Sequence, residues 1–154
     1  MRQMANFTEA DMAAVVESFY TAATAMMAAE QGGTRREFPV MVAAMNELGS
    51  QYPDSAIVQA LLASNPGSRQ AQVESALTGS TGALQDAALA AVKHAAQVIA
   101  SVSPDETAMY QDAVLHVLDK VADAAGELGY FGSEGAGVSE GEAKFLDLIK
   151  AAMQ

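Results

Sequence analysis

Asp112, His116, Asp119 and Asp123 follow one another at intervals of four, three and four, with Lys120 beside them. If the segment is helical, this spacing sets all four on one face. An imidazole with carboxylates one turn to either side is a candidate ligand set for a divalent cation, and the carboxylates would favour the protonated ring needed by a general acid. The solvated side of an amphipathic helix has the same pattern. The apolar residues of the segment fall on the opposite face, so the solvated-side reading is preferred.

A second group of oxygen-bearing residues, Glu127, Ser133, Glu134 and Glu140, lies in and just after a glycine-rich stretch at 126–137 and follows closely on Asp123. It holds enough oxygen ligands for a weak calcium site. The alternating acids and fixed glycine of an EF-hand loop are missing, and glycines at this density suit a turn-rich acidic loop, which is the preferred reading. In that loop Tyr130 and Phe131 are candidate contacts for another protein, unless they fold back onto the body of the domain. His94, next to Lys93, reads as a helix-edge residue. The chain has no Glu-x-x-His pair of the di-iron bundles, no HExxH and no phosphate-binding glycine loop. These readings lead to the expectation of a non-enzymatic protein with no catalytic residue and no cofactor.

The elements that must position these residues announce themselves through their starts. Four pairs, Thr8 with Asp11, Thr34 with Glu37, Ser103 with Glu106 and Ser139 with Glu142, place a capping hydroxyl three residues before an acid. Pro104 follows Ser103 at a first helical position, where a missing N–H costs nothing. Apolar residues recur at helical spacing behind each start: Met12, Val15, Val16, Phe19, Tyr20, Ala23, Met26 and Met27 in the first helix, and Phe145, Leu146, Ile149 and Met153 in the last. Met12, Met26 and Met27 read as adaptable core packing, with a repackable partner groove as the alternative.

Gly49 reads as the end of a second helix over 34–48, and Pro39 in its early turns predicts that this helix either starts late or kinks there. Short helices follow over 54–62 and 68–77, and a sixth, from 104 to about 127, buries Tyr110, Val114, Val117, Leu118 and Val121. The alanine-rich segment 83–102 has little side-chain bulk on any side, which predicts a helix at the centre of the fold. No period-2 strand pattern appears. The expectation is an all-α bundle of about seven helices, with an N-terminal tail at 1–8 and one domain at 9–154.

Composition bounds the partners. The 19 acidic residues against 8 basic ones give a formal net charge of -11, which repels phosphate backbones and anionic lipid heads and favours a basic protein partner. Neither nucleic acid nor membrane is expected, and a homo-oligomer is compatible with the pattern. The segment 83–102 carries Gln85, Asp86, Lys93, His94 and Gln97, too many polar groups for a bilayer. No signal-peptide pattern follows Arg2, and the chain has no cysteine, so a cytoplasmic location is expected.

A helix, a glycine loop, a capping box and a second helix occur twice, around 30–34 and around 126–139. On these two units, at 26–45 and 121–153, the chain resembles TerB-like tellurite-resistance domains. The second unit, with Gly129-Tyr130-Phe131-Gly132, is also similar to uncharacterised bacterial helical proteins with a Gly-Phe-rich loop before the last helix. The resemblance implies a bacterial, stress-related interaction or sensing module. TerB-like loops usually carry an Asp-Gly pair, and the positions here read Gln31-Gly32 and Ala125-Gly126, so the resemblance transfers no metal ligands. The alternative function is weak binding of a divalent cation by the loop or by the 112–123 stripe.

Overall fold

The computed structural model describes residues 7–29, 34–129 and 140–154, without the side chains at 29, 34–37, 81, 123–129 and 140–142. Seven α-helices follow in order among the described residues: α1 (Glu9–Ala29), α2 (Thr34–Gln51), α3 (Ala56–Ala63), α4 (Gln70–Ala76), α5 (Thr81–Val102), α6 (Thr107–Gly129) and α7 (Glu140–Met153). Short 3₁₀ turns at Pro66–Arg69 and Pro104–Glu106 lead into α4 and α6. No strand occurs among the described residues, and none of their helices is long and apolar enough to cross a membrane. The all-α bundle predicted by capping and periodicity is the fold observed.

The helix at its centre is α1, not the alanine-rich α5. Between Val15 and Met27 only Glu17 and Thr21 are not fully buried, and α1 packs against each of the other six helices. A helix that is apolar on every side must be surrounded. Its hydroxyl residues do not prevent this, because Ser18 and Thr24 donate to the carbonyls of Val15 and Tyr20 one turn back. In α5 the inward face is Ala88, Val92, Ala95 and Ile99, while Ala83, Ala87, Ala90 and Ala100 face solvent. Small side chains allow close approach but supply little area to bury, so they do not by themselves draw a helix to the middle.

Local signals act as their chemistry requires, with two exceptions. Thr8 caps α1, its Oγ1 accepting from the Asp11 N–H at 2.9 Å. Phe7, assigned by sequence to the tail, is 7% exposed and joins the core, with Met12 packed against the same cluster. These are the two positions of a hydrophobic staple across a capped helix start. Ser55 and Ser80 cap α3 and α5.

Ser103 is the first exception. The Glu106 N–H already bonds the Ser103 carbonyl in the 3₁₀ turn, so the Ser103 hydroxyl turns to the Glu106 carboxylate at 3.3 Å instead. Gly49 is the second, since α2 runs through it to Gln51. A Cβ there would lie 2.7 Å from Leu62 Cδ1, so this glycine permits close approach of α3 and does not end the helix. Pro39 lies inside α2, which starts ahead of it at Thr34. The second glycine loop, read as 126–137, starts later than expected because α6 continues to Gly129; its remainder, the loop at 30–33 and the side chains of the Thr34–Glu37 and Ser139–Glu142 boxes lie outside the described residues.

Candidate functional site

Among the described residues, the acidic stripe of α6 is not gathered into a site. Asp112, Asp119 and Lys120 are exposed, and His116 leans across to α2, where its Nε2 lies 2.8 Å from Glu47 Oε1. The ring is 21% exposed and the carboxylate 51%. His116 therefore works as a tie between α2 and α6, with a partner 69 residues away that the spacing along α6 does not reveal. Among the described residues no three His, Asp or Glu side chains are grouped as metal ligands are. The side chains of Asp123 and Glu127 lie outside the described residues, as do Glu134, Tyr130 and Phe131. His94 and Lys93 are exposed on α5.

What the structure brings together instead is a set of polar pairs joining α1 to its neighbours. Ser18 and the Tyr110 hydroxyl, both 0% exposed, are 2.6 Å apart, joining α1 to α6. The Ser18 proton is already given to the Val15 carbonyl at 2.6 Å, so the Tyr110 O–H must be the donor in the pair. Tyr20 repeats this arrangement toward α3. Its hydroxyl lies 2.6 Å from Ser64 Oγ, which itself donates to the Leu61 carbonyl. In both cases a tyrosine donates to a serine that donates to a carbonyl three residues back. Burial pushes both phenols above their ordinary value, Tyr110 furthest, and the Arg69 charge opposes that rise at Tyr20. Phe19 adds an edge-to-face contact with Tyr110, ring centroids 5.5 Å apart.

A third tie holds the start of α3 against the start of α6. The Ser55 hydroxyl donates to Glu106 Oε1 at 3.0 Å while its oxygen accepts from the Val58 N–H. Glu106 is buried, and the hydroxyls of Ser55 and Ser103 each bond one of its carboxylate oxygens. Sequence reading takes Glu106 as a capping residue and has no means of finding Ser55, 51 positions earlier.

Between α1, α4 and the first turn of α5 lies a cleft of about 90 Å³ lined by Tyr20, Thr21, Thr24, Gln72, Val73 and Leu84, with Ala76 at its edge. At its rim the Arg69 guanidinium sits over the Tyr20 ring, 4.2 Å from the centroid, and bonds Glu17 at 2.8 Å and Gln72 at 3.2 Å. The Thr21 and Thr24 hydroxyls are turned to carbonyls of α1, which leaves their oxygens as acceptors. Nothing in the local pattern of 66–77 distinguishes Arg69 as the residue that would cross to α1.

The arrangement defines an all-α bundle whose central helix is fixed by hydroxyl and carboxylate ties. Comparison with family models, with curated proteins and with solved structures finds no match to this chain.

Proposed function

We propose that this protein is a non-enzymatic helical module that acts by binding another protein. One observation supports the reading above others: among the described residues, the buried or half-buried hydroxyl, imidazole and carboxylate groups that could act as nucleophile or base are largely engaged in joining helices. Ser18 holds Tyr110, Ser64 holds Tyr20, Ser55 holds Glu106 and His116 holds Glu47. An acidic surface remains, with a formal charge of -11, together with the outward face of α5, where Ala83, Ala87 and Ala90 stand exposed at helical spacing. Such a face admits a second helix closely, and the charge favours a basic one. The resemblance to TerB-like domains adds a stress-related setting in a bacterial cytoplasm to the proposal.

The test compares the native chain with Ala87→Arg and Ala90→Arg, substitutions that keep helix propensity on an exposed face. A saturable, salt-sensitive partner that the native chain binds should be lost by these variants, while their melting temperatures stay unchanged. The rival is a cation-binding domain. A saturable rise in melting temperature with calcium, abolished by Glu127→Gln with Glu134→Gln and accompanied by no such partner, would replace this reading with it.

A further inference from the structure

We propose that α4 is a hinged flap on α1, opening as a unit while the bundle stays folded, and that Arg69 is its latch. A seven-residue helix has no stability of its own and depends on what it packs against. Val73 is the one buried residue of α4, and Gln70, Ala71, Gln72, Glu74 and Ser75 are exposed. Leu77, which closes the helix, is partly buried. Packing beneath the flap is incomplete, since the cleft separates Gln72, Val73 and Ala76 from Tyr20, Thr21 and Thr24 of α1.

The latch stands at the front edge of the flap. Arg69 reaches from the end of the 3₁₀ turn to α1, where Glu17 and the Tyr20 ring receive it, and it also bonds Gln72 within the flap. It thereby joins the first turn of α4 to one of the two residues of the 15–27 core stretch that reach solvent.

Both ends of the flap are built to turn. Asn65 holds φ at 60°, a left-handed conformation from which the chain enters Pro66, and Thr78, Gly79 and Ser80 are exposed at the far end. Opening about Asn65 gives up the burial of Pro66 and Val73, part of that of Leu77, and the Arg69 contacts. It does not touch the apolar contacts of α1 with α5 and α6. Local opening therefore lies well below global unfolding in free energy. When open, it uncovers the Tyr20 ring and the Thr24 oxygen beside Leu84, which the closed state keeps covered, and frees Glu17, which already reaches solvent. The inference does not depend on the protein having a partner.

Native-state hydrogen exchange on the full chain, resolved by residue and repeated at several low urea concentrations, tests it. The Leu77 amide, bonded to the Val73 carbonyl at 3.0 Å, is the best reporter. Amides of 73–77 should share one opening equilibrium, with a small but non-zero urea dependence, and exchange far faster than those of 15–27. Arg69→Gln should speed 73–77 roughly tenfold, through loss of a cation–π contact and an ion pair, and leave 15–27 unchanged. Raising salt should speed 73–77 in the native chain and have little effect in Arg69→Gln, because the Glu17 pair is screened. Val73→Ala should open the same segment by a route independent of Arg69. Three results would overturn the proposal: exchange of 73–77 only through global unfolding, graded and urea-insensitive exchange that marks fraying from one end, or an equal effect of Arg69→Gln on both segments.

Discussion

Removing the Ser18–Tyr110 pair one partner at a time should give two unequal costs and a sum that does not add. Tyr110→Phe deletes the donor, while Ser18 keeps its proton on the Val15 carbonyl, so only one hydrogen bond is lost, worth about 1 kcal/mol net. Ser18→Ala strands the Tyr110 hydroxyl in a site with no exposure, which costs about 1–3 kcal/mol for an unsatisfied buried donor. The better helix propensity of alanine returns a few tenths of that. With both substitutions no polar group is left unpaired, and the double variant should fall within about 1 kcal/mol of the native chain. The expected coupling is therefore on the order of 1–2 kcal/mol. Urea unfolding followed by far-UV circular dichroism measures it as shifts in midpoint at constant slope. Costs that add to within about 0.5 kcal/mol would refute the proton assignment and the pairing with it.

The same tyrosine sets a pH dependence. Its folded pKa is raised above the ordinary 10.0, so above that pH the unfolded chain releases the proton first; stability should be full below pH 10.0 and decline above it, less steeply in Tyr110→Phe. Leu118→Ala and Phe145→Ala, both at positions 1% exposed, should each cost about 2–5 kcal/mol in urea unfolding. Asn65→Ala should cost about 1–2 kcal/mol because φ is 60°, and Asn65→Gly should lie close to the native chain by the same assay. His116→Ala should change stability by less than about 1 kcal/mol, since Glu47 is half exposed and the pair is open to salt, and a larger loss in thermal melts would show the tie to be stronger than its exposure implies.

Much of the fold was legible because helices declare themselves locally. Thr8 with Asp11 marked a start that the structure keeps, and the apolar positions of α6 and α7 gave their buried faces directly. The reading failed where a local signal had two uses. Ser103 has a capping sequence, but a 3₁₀ turn had already taken the N–H it would have capped. Gly49 has the sequence of a stop, but its missing Cβ serves the approach of Leu62. Of the acidic stripe, Asp112 and Asp119 are exposed on α6, as on a solvated side, while His116 is tied to Glu47. The ties were illegible for a different reason: Ser18 and Tyr110 stand 92 residues apart, and nothing around either residue names the other.

Those ties explain how a core of this composition selects one arrangement. Alanines and Met26, Met27, Met41 and Met45, all fully buried, form a large part of the core in and around α1, beside branched and aromatic residues such as Val15, Phe19 and Ile99. Alanine offers little shape, and methionine adapts to whatever shape it meets, so that part of the core specifies the rotation of α1 weakly. The two tyrosine–serine pairs specify it strongly. Ser18 accepts from α6 on one side, and Tyr20, two residues on, donates toward α3 on another. Turning α1 by a single residue swings each group by about 100°. The phenols of Tyr20 and Tyr110 would then lose their acceptors, at about 1–3 kcal/mol for each that stays buried, while Ser18 keeps its bond to the Val15 carbonyl. The hydroxyls thus penalise the wrong rotations of α1 more than they stabilise the right one, and a central helix with so forgiving a core requires that discrimination.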